Sequence, residues 1–205
     1  SANLSYSSSG TLKKLILGDY RASFGQGLVL NKSFSINSFS SSNFYKRRNS
    51  ISPYHSTNEY NFLRGVAATL GSDNFDFNLI FSANSVDATL KDGAYTSIVT
   101  TGLHNTELLL SRRRNMREYL VAANATYSGD FYTIGCTSAF YRYDKECGKI
   151  AKEYNKYQIY NGLWGNISLS GTISLGTLRY YGEIAIDRGL SPALLLGLIW
   201  NPIYE

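Results

Sequence analysis

The sequence predicts an all-β fold: an antiparallel up-and-down transmembrane β-barrel of about 8–10 strands, complete or part of a larger barrel. Apolar and polar residues alternate with period two over residues 75–84 and 163–175, which is typical of strands with one apolar face. Charged residues make up 17% of the 205 residues, below the roughly 25% of soluble domains, and there are 17 tyrosines. Since no run of about 18 apolar residues occurs, any membrane crossing is predicted to be by strands.

Ten segments have strand-like composition, and we treat residues 1–205 as a single β-barrel domain or barrel fragment. Most of them match the roughly 9–11 residues of a tilted membrane strand. Their predicted bounds are 12–17, 19–30, 62–71, 74–84, 94–103, 118–128, 130–143, 156–175 with a break near Gly162, 177–187 and 192–200.

The connections between these segments differ in length. Short polar turns are predicted at 71–74, 127–130 and 176–177, and long loops at 31–60, 85–93 and 144–155. Short turns at one end of a barrel and long loops at the other are typical of outer-membrane proteins.

Each strand is predicted to have an apolar face and a polar face. In the segment 177–187, Tyr180 and Ile184 lie on the apolar face and Glu183 lies on the polar face. That polar face carries both positive and negative side chains, which favours a wet lumen. Tyr119 and Tyr127 bracket an apolar stretch on one face, which favours an interfacial aromatic girdle, although tyrosine also suits any strand. On this interpretation an arginine is costly at outward Leu169 and tolerated at inward Ser168.

Charged residues on the inward faces are predicted to cross the lumen, where they would set pore selectivity or lock a plug. This predicted lumen network consists of Asp19, Arg21, Glu59, Arg64, Arg112, Glu183 and Asp187. A second set of cations, next to aromatic residues or in an arginine run, is a candidate contact for anions or nucleic acid: Lys46, Arg47, Arg48, Arg113 and Arg114. The alternative for these cations is solvated loop charge, or pairing with acids such as Glu107 and Glu118.

Catalysis, metal binding and cofactor binding find little support in the sequence. His55 and His104 have no evident partner nucleophile, and two cysteines with two isolated histidines do not make a metal site. The glycine-containing segment 18–28 lacks the ending of a phosphate loop, so its glycines indicate a bulge, a bend or a close neighbour. Cys136 and Cys147 are either bridged or two free thiols. We therefore predict a protein that is not an enzyme.

Three segments carry a resemblance to a known family: 18–28, 52–67 and the stretch from Gly102 to Arg114. They resemble the β-barrel region of Bacteroidetes helix-hairpin-helix domain-containing outer-membrane proteins, over roughly residues 11–143 of this chain. The helix-hairpin-helix part is not in this sequence, and Asn105 stands where the family pattern has an arginine. The resemblance implies a barrel in the outer membrane with a link to DNA passage across the envelope, and a complete barrel of the family is longer than this chain.

These observations lead to two main hypotheses, and to a third, a purely structural outer-membrane protein without transport, which shares the surface of the first but should have a plugged lumen. The first is an outer-membrane β-barrel, a conduit or anchor linked to passage of macromolecules such as DNA, with outer-membrane lipid, DNA or other envelope proteins as partners. The alternative is a soluble secreted β-sandwich or small barrel that binds a ligand. The first predicts apolar side chains facing outward, and the second predicts them facing inward. No signal peptide is visible at the start of the sequence. The first hypothesis requires one that was removed or lies upstream, so export is inferred from that hypothesis and is not read from the sequence.

Overall fold

The computed structural model describes residues 2–31, 50–56, 61–101, 104–149, 153 and 162–201. Within these residues the chain forms twelve strands and one short helix. Their bounds are β1 Asn3–Ser7, β2 Leu12–Ser23, β3 Ser50–Pro53, β4 Leu63–Gly71, β5 Phe75–Val86, β6 Ala88–Lys91, β7 Ala94–Ile98, α1 Glu107–Ser111, β8 Met116–Ser128, β9 Tyr132–Tyr143, β10 Trp164–Leu175, β11 Leu178–Asp187 and β12 Pro192–Trp200.

Ten of these strands form one antiparallel sheet, which confirms the predicted all-β, antiparallel class. Nine follow one path, in the order β1-β2-β4-β5-β8-β9-β10-β11-β12, and β3 pairs with β2 next to β1. The remaining two strands, β6 and β7, form a separate hairpin. Among the described residues β1 and β12 are the edges of the large sheet and do not pair with each other, so no closed barrel is formed.

The strand register arranges side chains in rows that cross the sheet. One row runs through Ile16, Ala67, Ile80, Ala122 and Ala139, all of them buried. We call this side the inner face. The opposite side is the outer face, whose large apolar side chains are exposed along the sheet, as the alternation predicted. Its exposed members include Leu4, Leu17, Val66, Leu79, Phe81, Val121, Phe140, Ile167, Leu169, Tyr180, Ile184, Leu194, Leu196 and Leu198.

Part of the inner face is covered by the chain itself. Small alanines in the buried row leave space above the sheet, and Phe24, Leu30 and Ile51 fill it to complete a hydrophobic cluster. Residues 24–30, which we call the inner loop, therefore lie on the inner face. The sequence prediction of a strand through 19–30 was wrong for this part.

The inner loop leaves the strand because two glycines turn the backbone. Gly25 and Gly27 have φ angles of 57° and 94°, in the left-handed region that favours glycine. The Phe24 amide then donates to the Leu30 carbonyl at 3.1 Å and closes the turn on itself. The predicted segments 12–17 and 19–30 are not separate up to Ser23, since β2 runs without interruption through Gly18.

The ends of the sheet differ as predicted. The links β1–β2, β4–β5, β8–β9 and β10–β11 are two to four residues long and lie at one end, which we call the turn rim. At the other end, the loop rim, β2 connects to β4, β5 to β8 and β9 to β10 through long segments, while β11–β12 is short. Strands β1, β3 and β6 and the helix were missed by the sequence reading, and the predicted strand 94–103 ends at Ile98.

Candidate functional site

A polar row lies on the inner face beside the apolar row. The register aligns Thr69, Asn78, Asn124 and Thr137 on four successive strands. The Thr69 hydroxyl donates to Asn78 Oδ1 at 2.7 Å, and Asn78 Nδ2 donates to Asn124 Oδ1 at 3.1 Å. Asn124 Nδ2 donates in turn to Thr137 Oγ1 at 3.0 Å. Because burial of an unpaired amide is costly, this ladder accounts for polar residues inside the sheet.

Glu183 of β11 is a buried charged group on the inner face and is only 2% exposed. Its Oε2 accepts hydrogen bonds from the backbone amides of Gln26 at 2.7 Å and Leu28 at 3.1 Å. The Ser168 hydroxyl donates to Oε1 at 2.6 Å. Two backbone amides of the inner loop and one hydroxyl thus bind a buried carboxylate. We call this group the Glu183 clasp.

The Glu183 clasp shows that the sheet is strongly curved. Six strand spacings of about 4.8 Å separate β2 from β11, so a flat sheet would hold them about 29 Å apart. Gln26 follows the last residue of β2 by three positions, and three extended residues reach at most about 11 Å. The sheet must therefore curl until β11 faces the end of β2, with the inner loop between them.

Gly25 is required for this close approach. A Cβ atom at position 25 would lie 2.8 Å from the Glu183 carboxyl carbon and 2.9 Å from both of its oxygens. The sequence indicated a close neighbour for the glycines of segment 18–28, and for Gly25 that neighbour is Glu183. Nothing local in the sequence identifies it, since the two residues lie far apart in the chain.

The structure changes the prediction for an arginine at Ser168. Ser168 faces inward as predicted, but it is buried and donates to Glu183, so the expectation that an arginine is tolerated there is wrong. An arginine would displace the clasp. Leu169 beside it is 58% exposed on the outer face, in agreement with its predicted direction.

The residues of the predicted lumen network lie in separate places, and two of them do not have the inward direction that was predicted: Asp19 and Arg64 share the strand parity of outward Leu17 and Val66. Asp19 and Arg64 are brought together, with Arg64 Nε donating to Asp19 Oδ1 at 2.7 Å, and the Ala2 amide donates to Asp19 Oδ2 at 3.0 Å. The Arg21 guanidinium lies over the Tyr54 ring, 4.4 Å from its centroid.

The other members lie farther from this pair. Arg112 caps the C-terminal end of α1, Glu183 forms its own clasp, and Asp187 accepts from the Ser191 amide at 2.8 Å in the β11–β12 turn. Glu59 lies outside the described residues. A role of these charges in pore selectivity stays a prediction.

Sequence reasoning missed a polar cluster at the loop rim. Asp87 Oδ2 is 2.7 Å from His104 Nε2, and Asp87 Oδ1 accepts from the Arg114 amide at 2.8 Å. Asn115 brackets Ala88, donating to its carbonyl and accepting from its amide. These bonds tie the β6–β7 hairpin to the segment that contains α1, and we call this assembly the rim cap.

Of the predicted anion contacts, Arg113 and Arg114 are exposed in the rim cap just after α1, while Lys46, Arg47 and Arg48 lie outside the described residues. Cys136, in β9, and Cys147, beside β7, are not joined by a disulfide.

Two further observations concern the described residues as a whole. They contain no group of three or more His, Cys, Asp or Glu side chains that could hold a metal ion. Searching the same residues for a helix long and apolar enough to cross a membrane finds none.

Comparison with known proteins does not assign the chain to a family. No family model, curated protein or solved structure matches this sequence. The resemblance to helix-hairpin-helix outer-membrane proteins therefore stays a prediction, and the site is interpreted from its own geometry.

Proposed function

We propose that this chain forms the membrane-embedded sheet of an outer-membrane β-barrel, with lipid against its outer face. The observation that carries the proposal is the contrast between the two faces. On β11 the side chain of Ile184 is 53% exposed while that of its neighbour Glu183 is 2% exposed. A sheet with water on its outside would reverse this order.

The extent of the apolar outer face supports lipid as its environment. The largest apolar patch on a typical soluble monomer covers about 300–600 Å². That area corresponds to only about four half-exposed aromatic side chains, since one such side chain has about 150–250 Å² of surface. The outer face carries more than a dozen exposed large apolar side chains on nine adjacent strands. Within the described residues no second layer covers it, as the soluble sandwich alternative would require.

Aromatic residues at the turn rim also support the proposal. Phe75 and Tyr127 are paired across β5 and β8, and Tyr132 lies beside Tyr127 with 5.9 Å between ring centroids. Phe131 packs edge-on against Tyr132 at 5.2 Å. Aromatic side chains gathered at one end of an apolar band, with amphipathic tyrosines among them, fit the interface between lipid and water.

The inner face supports a role as a closed conduit or an anchor. It carries a satisfied polar row, and the inner loop crosses it from β2 to β11. We propose that the barrel takes part in the passage of macromolecules across the envelope, and that it is closed when the inner loop is seated. Other envelope proteins are the partners that such a role requires.

Fractionation tests the membrane proposal. The protein is expressed with an export signal, and its membrane association, its extraction by detergent and its gel mobility with and without boiling are measured. We expect material that sediments with outer membranes, needs detergent and shifts on boiling. Soluble, unshifted material would reject lipid as the cover of the outer face and favour the secreted ligand-binding alternative.

We further propose that the macromolecule is polyanionic, with DNA as the first candidate. Arg113 and Arg114 are exposed at the loop rim, and the chain has a net charge of +5. Replacing both with glutamine should weaken binding of a DNA oligonucleotide by the solubilised protein and reduce its salt dependence. Lys13→Gln at the turn rim is the control. Equal losses in both variants would count against Arg113 and Arg114 as the contact, and no binding by the parent would count against DNA.

A further inference from the structure

We infer that the inner loop is a removable plug and that the Glu183 clasp is its latch. The inference rests on the proposed function, because a plug has meaning only in a barrel with an interior. It concerns residues 24–30, their hinge at Ser23 and Asn31, and the wall of the sheet formed by β10 and β11.

The inner loop is built as a unit that can move without breaking the sheet. Ser23 and Asn31 form an antiparallel bridge at its base, and Phe24 bonds to Leu30 just inside it. The Gly27 amide donates to the Phe24 carbonyl at 3.1 Å, so the turn also holds its own shape. The loop could therefore swing about its base while β2 keeps its pairing with β4.

At the far wall, the loop is held by contacts that another environment can replace. The amides of Gln26 and Leu28 donate to one carboxylate oxygen of Glu183, and no cation faces that carboxylate among its described hydrogen-bond partners. If the loop left, water entering the interior could solvate both the carboxylate and the two amides. The interior would then have two states in which these polar groups are hydrogen-bonded, loop seated and dry or loop released and wet. Phe24 and Leu30 are buried in the hydrophobic cluster, so the seated state is the favoured one.

The Glu183 clasp also leaves no room for a side chain at position 25. Gly25 passes so close to the Glu183 carboxyl group, at a positive φ of 57°, that with any side chain there either the carboxylate or the loop would have to move. The clasp can thus be weakened from either partner, by changing the acid or by adding a methyl group to the loop.

The test uses a cysteine reporter in the plug. In the full chain with Cys136 and Cys147 changed to serine, Gln26→Cys keeps the backbone amide of the clasp and places a thiol at a buried position. Its reaction rate with a charged maleimide is compared in three backgrounds: the parent, Glu183→Leu and Glu183→Gln. Leu190→Cys in the exposed β11–β12 turn is the accessibility control.

We expect labelling at position 26 to rise at least about tenfold with Glu183→Leu and less with Glu183→Gln, whose amide can still accept from the two backbone donors. Gly25→Ala with an intact Glu183 should also raise it, which covers the case in which Glu183→Leu fails to fold. Equal rates in the parent and in every folded clasp variant would overturn the inference.

The readout separates this inference from the proposed function. Labelling rates can be measured in detergent, in vesicles or in plain buffer, so they report on the latch even if fractionation rejects the membrane. For protein inserted in planar bilayers, Glu183→Leu and Gly25→Ala should increase ion conductance over the parent. Raised labelling with unchanged conductance would overturn the plug while leaving the membrane-embedded sheet intact.

Discussion

Leu169 and Leu190 offer a matched pair for testing what surrounds the outer face. Leu169 is 58% exposed in the middle of β10, and Leu190 is 77% exposed in a turn. Leu169→Arg should lower the free energy of unfolding in lipid by about 2–4 kcal/mol if it lies near the midplane, since the cation loses water. Leu190→Arg should leave it nearly unchanged.

Denaturant titration of the protein refolded in vesicles measures both values. In a soluble protein an arginine at an exposed position changes stability by only about 0.5 kcal/mol. Similar small effects at both positions would therefore speak against lipid at Leu169.

Asn124 is the centre of the polar row and should be the most sensitive of its amides. It accepts from Asn78 and from Thr126, and it donates to Thr137. Asn124→Ala should cost about 1–3 kcal/mol for each buried partner left without a bond. Combined with Asn78→Ala in a double-mutant cycle, it should show a coupling of about 0.5–3 kcal/mol. Additive losses would contradict a direct hydrogen bond between the two amides.

At the scale of elements, β12 carries an optical probe of the membrane. The chain has two tryptophans, so Trp164→Phe leaves Trp200 alone at the exposed end of β12. Trp200 emission should shift to shorter wavelength in vesicles and be quenched by brominated lipids, because the outer face would meet acyl chains or the interface. Emission that stays long in wavelength and insensitive to those lipids would contradict the orientation that we propose.

The rim cap should depend on one acid. Asp87 binds His104 through one carboxylate oxygen and the Arg114 amide through the other. Asp87→Ala should raise amide hydrogen exchange around residues 104–115 by about one to two orders of magnitude, since a hydrogen bond to a charged group contributes roughly 1.5–3 kcal/mol. Lys91→Ala on the exposed side of β6 is the control and should change little.

The elements also show how far sequence reasoning reached. Alternation correctly separated Leu169 from Ser168 and Ile184 from Glu183, because a strand side chain has only two directions. It placed residues 24–30 in a strand, since Phe24, Val29 and Leu30 suit a strand equally well. Their position depends on Glu183, a partner far along the chain that no local pattern contains.

The residues of the predicted charge network lie in separate places for a related reason. Periodicity assigns a residue to a face, but it does not give the height of that residue along the strand or the neighbours across the sheet. Asp19 and Arg64 meet because the β2–β4 register sets them opposite each other. Asp187 belongs to the other end of the sheet order and binds within its own turn instead.

For the molecule as a whole, the number of strands on the main path fixes the relative direction of its two edge strands. Eight antiparallel steps separate β1 from β12 among the described residues, so these two edges point the same way. Joining them directly would make a parallel seam in an otherwise antiparallel sheet, whereas an antiparallel closure needs an odd number of additional strands between them. An even-stranded barrel therefore cannot be made from these nine strands alone, whatever the curvature of the sheet.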